Sequence, residues 1–513
     1  MTDDPGRAER ARLSGGRLLA KNSGAYLIGQ AVVLTIAFVS VPLLIDGLGT
    51  ARFGLLSIVW VIIGYAGILD LGLGRALTAI ASDRIGSGRE AEVPPLFWTA
   101  FGLMLAAGLL GAAVLAAVSP WLVESVIQVP EGLRDETVAT VYLMSASIPF
   151  TIATLASKAI LATYQHGWVI NTIQTPVSAL SYGGPVLMLG FSDTLTAVVA
   201  VVVASRVAGF IAISIFALRL VPALRHRVAV GRSAASQLAR FGGWVTLSNV
   251  VQPVMQQFDR VLVGVLLSAS AVAFYAAPAE AVKRLFVISF AITSVLYPAF
   301  SLTRRKDPDR AVKLFGVGNR AIFAALFPVV LIVVTFASEL LDLWLGANFA
   351  RSSEHVFQWL AAGVFITGLC EVAYSFVLSS RPDLMTKSEL VELPLFLAYF
   401  WLLTNAMGIE GAAIAWTIRQ VTGAFMAYGL AYYLSSLTLP TTRRIGIAMA
   451  MALAILFAAS QLDALAAKFV FAAFTIPCFV VLAWTKLADP EDHQWLRQRW
   501  RDAYSDFRRT QQA

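Results

Sequence analysis

Apolar stretches recur along the whole chain and are separated by short polar segments. A helix needs roughly 20 mostly apolar residues to cross the hydrocarbon core of a bilayer. Averaged over a window of about nineteen residues, the hydropathy predicts fourteen such helices, called spans one to fourteen here. They cover 22–46, 53–81, 94–118, 137–161, 168–190, 194–218, 241–267, 271–302, 314–337, 353–379, 386–406, 410–435, 445–461 and 466–485. The pattern therefore predicts an all-α polytopic membrane protein.

The basic residues predict which ends of the spans face the cytoplasm. Of the 39 Lys and Arg residues, 27 lie in the two tails and in the loops after even-numbered spans, and eight lie inside spans. Four lie on the opposite side: Arg52, Arg134, Arg351 and Lys468. The positive-inside rule therefore places both termini in the cytoplasm. The net charge of +8 then describes a cytoplasmic face that attracts anionic lipid headgroups, so no nucleic acid partner is predicted.

A weak internal repeat predicts how the spans are grouped. Tight outer turns join spans one and two (44–56) and spans seven and eight (262–277), and Gln30 of the first set matches Gln252 of the second. Both sets start on the inside, which indicates two parallel six-helix halves with a substrate site between them. The predicted organisation is an N-tail (1–21), an N-terminal bundle (22–218), a basic cytoplasmic linker (219–240), a C-terminal bundle (241–435), two extra helices (445–485) and a cytoplasmic C-tail (486–513).

The sequence carries no enzyme motif. Only 14% of the residues are charged and 58% are hydrophobic. Cys370 and Cys478 both lie in apolar spans and the four histidines are scattered, so neither a disulfide nor a metal site is predicted. The chain has no phosphate-binding loop and no large outer loop where a polymerase or glycosyltransferase would hold catalytic carboxylates. No cofactor is predicted.

Charges inside the spans point to function, because a charge in a bilayer costs several kcal/mol unless it is paired or hydrated. Asp259 and Glu280 lie at equal distances from the turn between spans seven and eight, which puts both at roughly 15 Å depth. Arg260, Lys283 and Arg284 lie within about one turn of them. These five charges form either an internal ion-pair network or a hydrated cavity with one excess cation that receives an anion. We favour the cavity and expect Asp259 and Arg260 to be a structural pair.

Other intramembrane charges divide by depth. Arg206 in span six and Arg419 in span twelve are near mid-depth, and lining the cavity or tying helices together fits each equally well. Glu371 lies past the middle of span ten. Structural roles are favoured for four charges nearer the inner ends, where long side chains reach the headgroups: Lys158, Arg320, Glu389 and Glu392.

Span two carries Asp70 and Arg75 on its inner half. Asp70 is about 25 Å from the outer end, and Arg75 is near the inner headgroups. They are five residues apart and do not share a helix face. We therefore predict that Arg75 stands at the cytoplasmic mouth and that Asp70 pairs with another helix. Gly72 and Gly74 leave room for close approach at an inner gate.

Three segments resemble bacterial polysaccharide biosynthesis membrane proteins. They are KNSGAYLIGQAVVLTIAFVSVPLLIDGLGTARFGLLS (21–57), GILDLGLGRALTAIAS (67–82) and DRVLVGVLLSASAVAFYAAPAE (259–280). The group contains the Wzx-like flippases of O-antigen and exopolysaccharide within the multidrug/oligosaccharidyl-lipid/polysaccharide superfamily. The resemblance extends loosely over residues 20–436.

The resemblance implies two six-helix bundles that face each other in a V and work by alternating access in the bacterial inner membrane. It implies a cargo of undecaprenyl-diphosphate-linked oligosaccharide, moved from the inner to the outer leaflet. The polysaccharide polymerase and the glycosyltransferases are the candidate partners besides the bilayer. The candidate carriers of a coupling H⁺ or Na⁺ are Asp70, Asp259 and Glu280. Fourteen spans also resemble the lipid II flippase MurJ, so lipid II stays open as cargo, as does cation-coupled multidrug export.

Overall fold

The computed structural model describes residues 16–65, 67, 70, 72–127, 129–226, 228–231, 234–238, 258–303, 307–379, 381–434 and 439–482. These residues are predominantly helical and include no β-strand, so the predicted all-α class is confirmed. Most of the N-tail, most of span seven with Gln252, and the C-tail lie outside the described residues.

The helices fall into two compact units. Unit 1 comprises the described residues up to Ala277 together with Phe400–Ala412, and unit 2 comprises Pro278–Tyr399 and the described residues from Ala413 onwards. Unit 1 contains α1 (Gly16–Tyr65), α2 (Leu73–Gly86), α3 (Val93–Trp121), α4 (Arg134–Thr163), α5 (Gly167–Leu189), α6 (Leu195–Leu220), α7 (258–266) and the start of α8 (Ala269–Lys283). The remaining helices are α9 (Phe286–Thr303), α10 (Pro308–Thr335), α11 (Ala337–Leu345), α12 (Ala347–Leu378), α13 (Pro382–Leu434), α14 (Leu439–Ser460) and α15 (Leu465–Leu482).

Most predicted spans have a counterpart in the structure. Spans three to six match α3 to α6 within three residues at either end. Eight helices among the described residues are long and apolar enough to cross a membrane. Two of the eight, Ala31–Ile62 and Asp383–Leu434, pass through a kink at Gly49 and Gly408 respectively. The count of fourteen spans stays a prediction, as does the division of the chain at the linker 219–240.

α1 is a hairpin that lies along α5. Gly29 packs against Thr175 near the start of α5, and Gly47 packs against Leu189 at its end. The chain then reverses at Gly49, whose φ of 77° is in the left-handed region that glycine adopts without strain. This is the turn predicted within 44–56. α13 contains a similar break at Gly408, with φ of 63°, where spans eleven and twelve were predicted to separate.

Two predicted spans are interrupted. Span two is not one helix over 53–81, because α1 ends at Tyr65 and α2 begins at Leu73, after Gly72 with φ of 71°. Span eight breaks between α8 and α9, where the amides of Arg284 and Leu285 bond to carbonyls three residues back instead of four. A window of nineteen residues averages over such breaks. The nine-residue helix α11 is shorter than the window and was not predicted.

The described part of the linker lies against the helix ends of unit 1. The Trp98 indole donates a hydrogen bond to the Leu224 carbonyl (2.9 Å), and the Gly231 amide donates to Thr99 Oγ1 (3.1 Å). Arg84 Nη2 donates to Gln237 Oε1 (2.8 Å). The linker is therefore bonded to the ends of α2 and α3 at several points.

Candidate functional site

A cavity of about 200 Å³ lies inside unit 1, between the end of α1 and helices α4, α5 and α6. Glycines make room for it: Gly64 and Gly67 line one wall, and Gly209 of α6 lies against Val177 of α5. The polar side chains that line the cavity are Thr151, Thr154, Lys158, Gln174 and Arg206. None of the described lining residues is acidic, so the cavity carries an excess of positive charge.

Helix packing brings the two cations into the cavity from different helices. Lys158 lies five residues before the end of α4, and its Nζ donates to Gln174 Oε1 on α5. Arg206 lies in the middle of α6, and its buried Nε has no hydrogen-bond partner among the described atoms. A buried guanidinium donor without an acceptor is costly. The site therefore favours a ligand that brings anionic oxygens.

Lys158 lies in the cavity, where the sequence did not place it. We expected a structural role with its ammonium at the inner headgroups, but the structure turns it into the cavity beside Arg206. Arg206, for which two roles were equally favoured, lines the same cavity. Hydropathy gives the depth of a charge along a helix but not the rotation of that helix. That Lys158 and Arg206 face the same cavity therefore could not be predicted from the sequence.

The predicted cluster at spans seven and eight is divided between the two units. In unit 1, Asp259 and Arg260 are 2% and 3% exposed. The Tyr275 hydroxyl donates to Asp259 Oδ2 (2.8 Å) and the Arg260 backbone amide donates to Asp259 Oδ1 (3.0 Å). The Asp259 carboxylate is thus held by a tyrosine that the sequence did not single out.

In unit 2, the cations of α8 have partners of their own. Arg284 Nη2 lies 2.9 Å from Glu280 Oε2, one helical turn away. Lys283 Nζ lies 5.3 Å from the ring centre of Trp416, a distance typical of a cation–π contact. The shared cavity of Asp259, Arg260 and these residues therefore stays a prediction.

Arg419, on the second limb of α13, contacts the first limb of the same helix. Its guanidinium carbon lies 5.6 Å from the Phe396 ring. On the facing limb of α13, buried Glu392 accepts a hydrogen bond from Thr422 Oγ1 (2.7 Å). These contacts join the two limbs of α13, and the choice between the two predicted roles of Arg419 stays a prediction.

Asp70 and Arg75 lie on either side of the start of α2. Asp70 is buried, and its Oδ1 accepts a hydrogen bond from the Gly74 amide (2.9 Å). Among the described residues, Asp70 therefore bonds to α2, the helix that directly follows it in the chain. We had expected it to pair with a different helix. The break before Leu73 exposes amides that need an acceptor, and Asp70 supplies it. Arg75 is exposed on the first turn of α2.

Two solved structures of membrane transporters have a similar fold. The structure "Lipid II flippase MurJ, inward closed conformation" matches with a TM-score of 0.70 at 10% identity, over 90% of this chain and 99% of that one. The structure "Inward-facing conformation of a multidrug resistance MATE family transporter of the MOP superfamily" matches with a TM-score of 0.64 at 12% identity, over 82% and 98%. At these identities the likeness shows the fold alone.

The sequence itself matches at the level of a family. The chain is 28% identical over 414 residues to the protein named "Putative O-antigen transporter" from Shigella flexneri, which covers 80% of this chain and 96% of the relative. Fold and relative together define a multi-pass membrane protein of the transporter and flippase class, which is not a class of enzymes. The profile of the family "Polysaccharide biosynthesis protein" matches residues 48–354. The chain belongs to this family.

Proposed function

We propose that the protein is a flippase that moves undecaprenyl-diphosphate-linked oligosaccharide from the inner to the outer leaflet of the bacterial inner membrane by alternating access. The observation that carries the proposal is the cavity of unit 1, where Lys158 and Arg206 provide two cations and the described lining provides no carboxylate. The similarity to the putative O-antigen transporter of Shigella flexneri supports a repeat unit of surface polysaccharide as the cargo.

The chemistry of the two cations suits a diphosphate. The Arg206 guanidinium presents a planar set of donors that matches two phosphate oxygens at once. The Lys158 ammonium is a compact charge with three donors and neutralises a further oxygen while Gln174 holds it in place. The undecaprenyl chain stays in the bilayer, because apolar lipid gains nothing from a polar cavity. Neutralisation lowers the cost of taking the diphosphate through a medium of low dielectric constant.

Two other cargoes are separable from this one. A multidrug exporter for cationic drugs calls for an acidic or apolar cavity, and the charge of this cavity is of the opposite sign. Lipid II carries the same undecaprenyl diphosphate and differs only in its sugar and peptide part. The positive charge of the cavity therefore favours a lipid-linked diphosphate over a cationic drug. The lipid that accumulates after deletion of the gene would distinguish the two lipid-linked cargoes.

The remaining sequence predictions belong to this proposal. The positive-inside pattern supports cytoplasmic termini. Arg75, Arg260, Lys283, Arg284 and Arg419 are proposed as further contacts along the path of the headgroup. Candidates for a coupling H⁺ or Na⁺ are Asp70, Asp259 and Glu280. The polymerase and glycosyltransferases of the same pathway are the proposed partners.

The test deletes the gene and complements it with the wild-type gene or with variants. We expect deletion to leave undecaprenyl-linked oligosaccharide on the inner leaflet, measured by lipid extraction and mass spectrometry with a membrane-impermeant sugar probe. Lys158→Ala and Arg206→Ala should fail to clear it, because each leaves part of the diphosphate charge uncompensated. Arg219→Ala is the matched control, since Arg219 is exposed on the same helix as Arg206.

Each outcome has a defined meaning. If deletion leaves no such lipid on the inner leaflet, the proposed cargo is wrong, and accumulation of lipid II identifies that alternative. If both alanine variants reach normal protein levels and clear the lipid as the wild type does, the cavity of unit 1 is not the headgroup site.

A further inference from the structure

Two aromatic side chains of unit 1, Trp60 and Tyr182, pack together but do not line the cationic cavity themselves. The rings of Trp60 on α1 and Tyr182 on α5 have centroids 4.9 Å apart at an angle of 52°. Phe53, which is 1% exposed, meets the Trp60 ring edge to face at 6.1 Å. Trp60 therefore rests against a fixed ring, while Trp60 and Tyr182 themselves are partly exposed.

Two observations tie the pair to the cavity. Trp60 lies four residues before Gly64, which lines the cavity, so both are on one face of α1. Tyr182 lies on α5 between Val177 and Gly184, which pack on Gly209 and Val201 of α6, and Arg206 lies on that facing stretch of α6, so Tyr182 and Arg206 are at similar levels. The aromatic pair and the cationic cavity thus form one continuous surface within unit 1.

Trp60 also has a hydrogen-bond donor to offer. Its indole Nε1 is buried and has no acceptor among the described atoms. A buried indole N–H normally finds a partner, and leaving it unpaired costs free energy. A ligand with hydroxyl groups supplies the acceptor.

The order of residues along α5 indicates which end of the site takes the diphosphate and which end takes the group attached to it. Gln174, which holds Lys158, comes eight residues before Tyr182, which meets Trp60. Eight residues of helix correspond to about 12 Å. A headgroup with its diphosphate between Lys158 and Arg206 would therefore extend its next chemical group towards the aromatic pair.

We propose that Trp60 and Tyr182 form a stacking subsite for a sugar ring attached to the diphosphate. A pyranose presents a face of C–H groups that packs on an aromatic ring, and its hydroxyls accept from the Trp60 indole. This inference rests on the proposed function, because it needs the diphosphate in the neighbouring cavity. It adds that unit 1 recognises the sugar as well as the charge.

The test compares two lipids on purified protein in nanodiscs. The probes are undecaprenyl diphosphate, and the undecaprenyl-linked oligosaccharide extracted from the deletion strain. Affinities are measured by microscale thermophoresis for the wild type, Trp60→Ala, Trp60→Phe, Tyr182→Ala and the control Trp121→Ala. Trp121 is an exposed tryptophan at the end of α3 in the same unit.

We expect Trp60→Ala and Tyr182→Ala to weaken binding of the sugar-bearing lipid by about tenfold, the equivalent of one stacking contact. Binding of undecaprenyl diphosphate should stay at the wild-type value, which also shows that the variants are folded. Trp60→Phe should retain binding within about threefold, because a ring remains. Trp121→Ala should bind both lipids as the wild type does.

Other results overturn the inference. If the alanine variants bind both lipids as the wild type does, or weaken both equally, the pair has no sugar subsite and the proposed function stands. If the wild type binds neither lipid, the proposed function fails and the subsite with it.

Discussion

Arg52 and Glu136 join the ends of three helices in unit 1. Arg52 Nε and Nη2 both donate to Glu136 Oε2, at 3.1 and 3.0 Å, and connect the second limb of α1 to the first turn of α4. Glu136 Oε1 accepts from the Leu195 amide at the start of α6. One carboxylate thus satisfies a guanidinium and a free helix amide together.

Glu136→Ala should lower the stability of unit 1. It leaves a partly buried guanidinium and an amide without acceptors, which costs about 1–3 kcal/mol. Thermal unfolding in detergent should show a lower melting temperature, and Glu136→Gln should recover part of the loss, because its amide oxygen still accepts from Leu195. The control is Arg134→Ala, whose contact with Glu131 is long (3.9 Å) and exposed. Equal melting temperatures for Glu136→Ala and the wild type would show that the contact does not stabilise the unit.

Gly54 should tolerate no side chain. It packs so closely on α8 that a Cβ there would overlap the carbonyl oxygen of Ala269. Gly54→Ala must push the helices apart, at a cost of about 1–3 kcal/mol. Gly102→Ala is the matched control, because nothing lies within 4 Å of a Cβ at that exposed position of α3. Protein yield and melting temperature should fall for Gly54→Ala only. An unchanged melting temperature would contradict the packing of α1 on α8.

These examples show which features a sequence can predict. The apolar runs of α3 to α6 are long and uninterrupted, so averaged hydropathy finds their ends within three residues. Gly49 and Gly408 lie between apolar runs, and their turns were expected. The break before α2 lies inside an apolar run, where Gly72 and Asp70 act locally and the average hides them.

The site was harder to predict than the fold. Depth follows from counting residues, and it drew attention to Arg206, which lines the cavity. Whether a side chain faces lipid, a neighbouring helix or a cavity depends on helix rotation, which is set by packing such as Gly209 on Val177. The sequence therefore suggested a headgroup role for Arg206 but not for Lys158, and it gave no role to the pair of Trp60 and Tyr182.

The two cations of the cavity should not be interchangeable. Arg206→Lys keeps the charge and loses the planar fork that bonds two oxygens, so transport should fall roughly tenfold. Lys158→Arg keeps the charge and adds donors, so it should stay within about threefold of the wild type if the cavity admits the larger group. Rates are measured with labelled lipid in proteoliposomes. Equal rates for Arg206→Lys and the wild type would show that charge alone is read at this position.

Lys283 and Arg284 provide a direct test of the headgroup path in unit 2. If they contact the headgroup, replacing both with Ala should reduce transport at least about tenfold, because two charge-assisted contacts are lost. Glu280→Gln separates the roles: if Arg284 serves only its ion pair with Glu280, this variant should impair the protein as much as Arg284→Ala. The control is Arg310→Ala, at an exposed position of α10. Full transport by the double variant at normal protein level would remove both residues from the path.

Asp259 is the candidate carrier of the coupling ion that we would replace first. The residue is 2% exposed, and its carboxylate accepts a hydrogen bond from the Tyr275 hydroxyl. If this carboxylate carries the coupling ion, Asp259→Asn should still bind undecaprenyl diphosphate but should lose the stimulation of transport by a proton or sodium gradient. Tyr275→Phe removes one hydrogen bond and keeps the carboxylate, so it should leave the stimulation in place. Asp46→Asn, at an exposed position before the turn at Gly49, is the control and should respond to the gradient as the wild type does. Gradient stimulation that persists in Asp259→Asn would transfer the coupling role to Asp70 or Glu280.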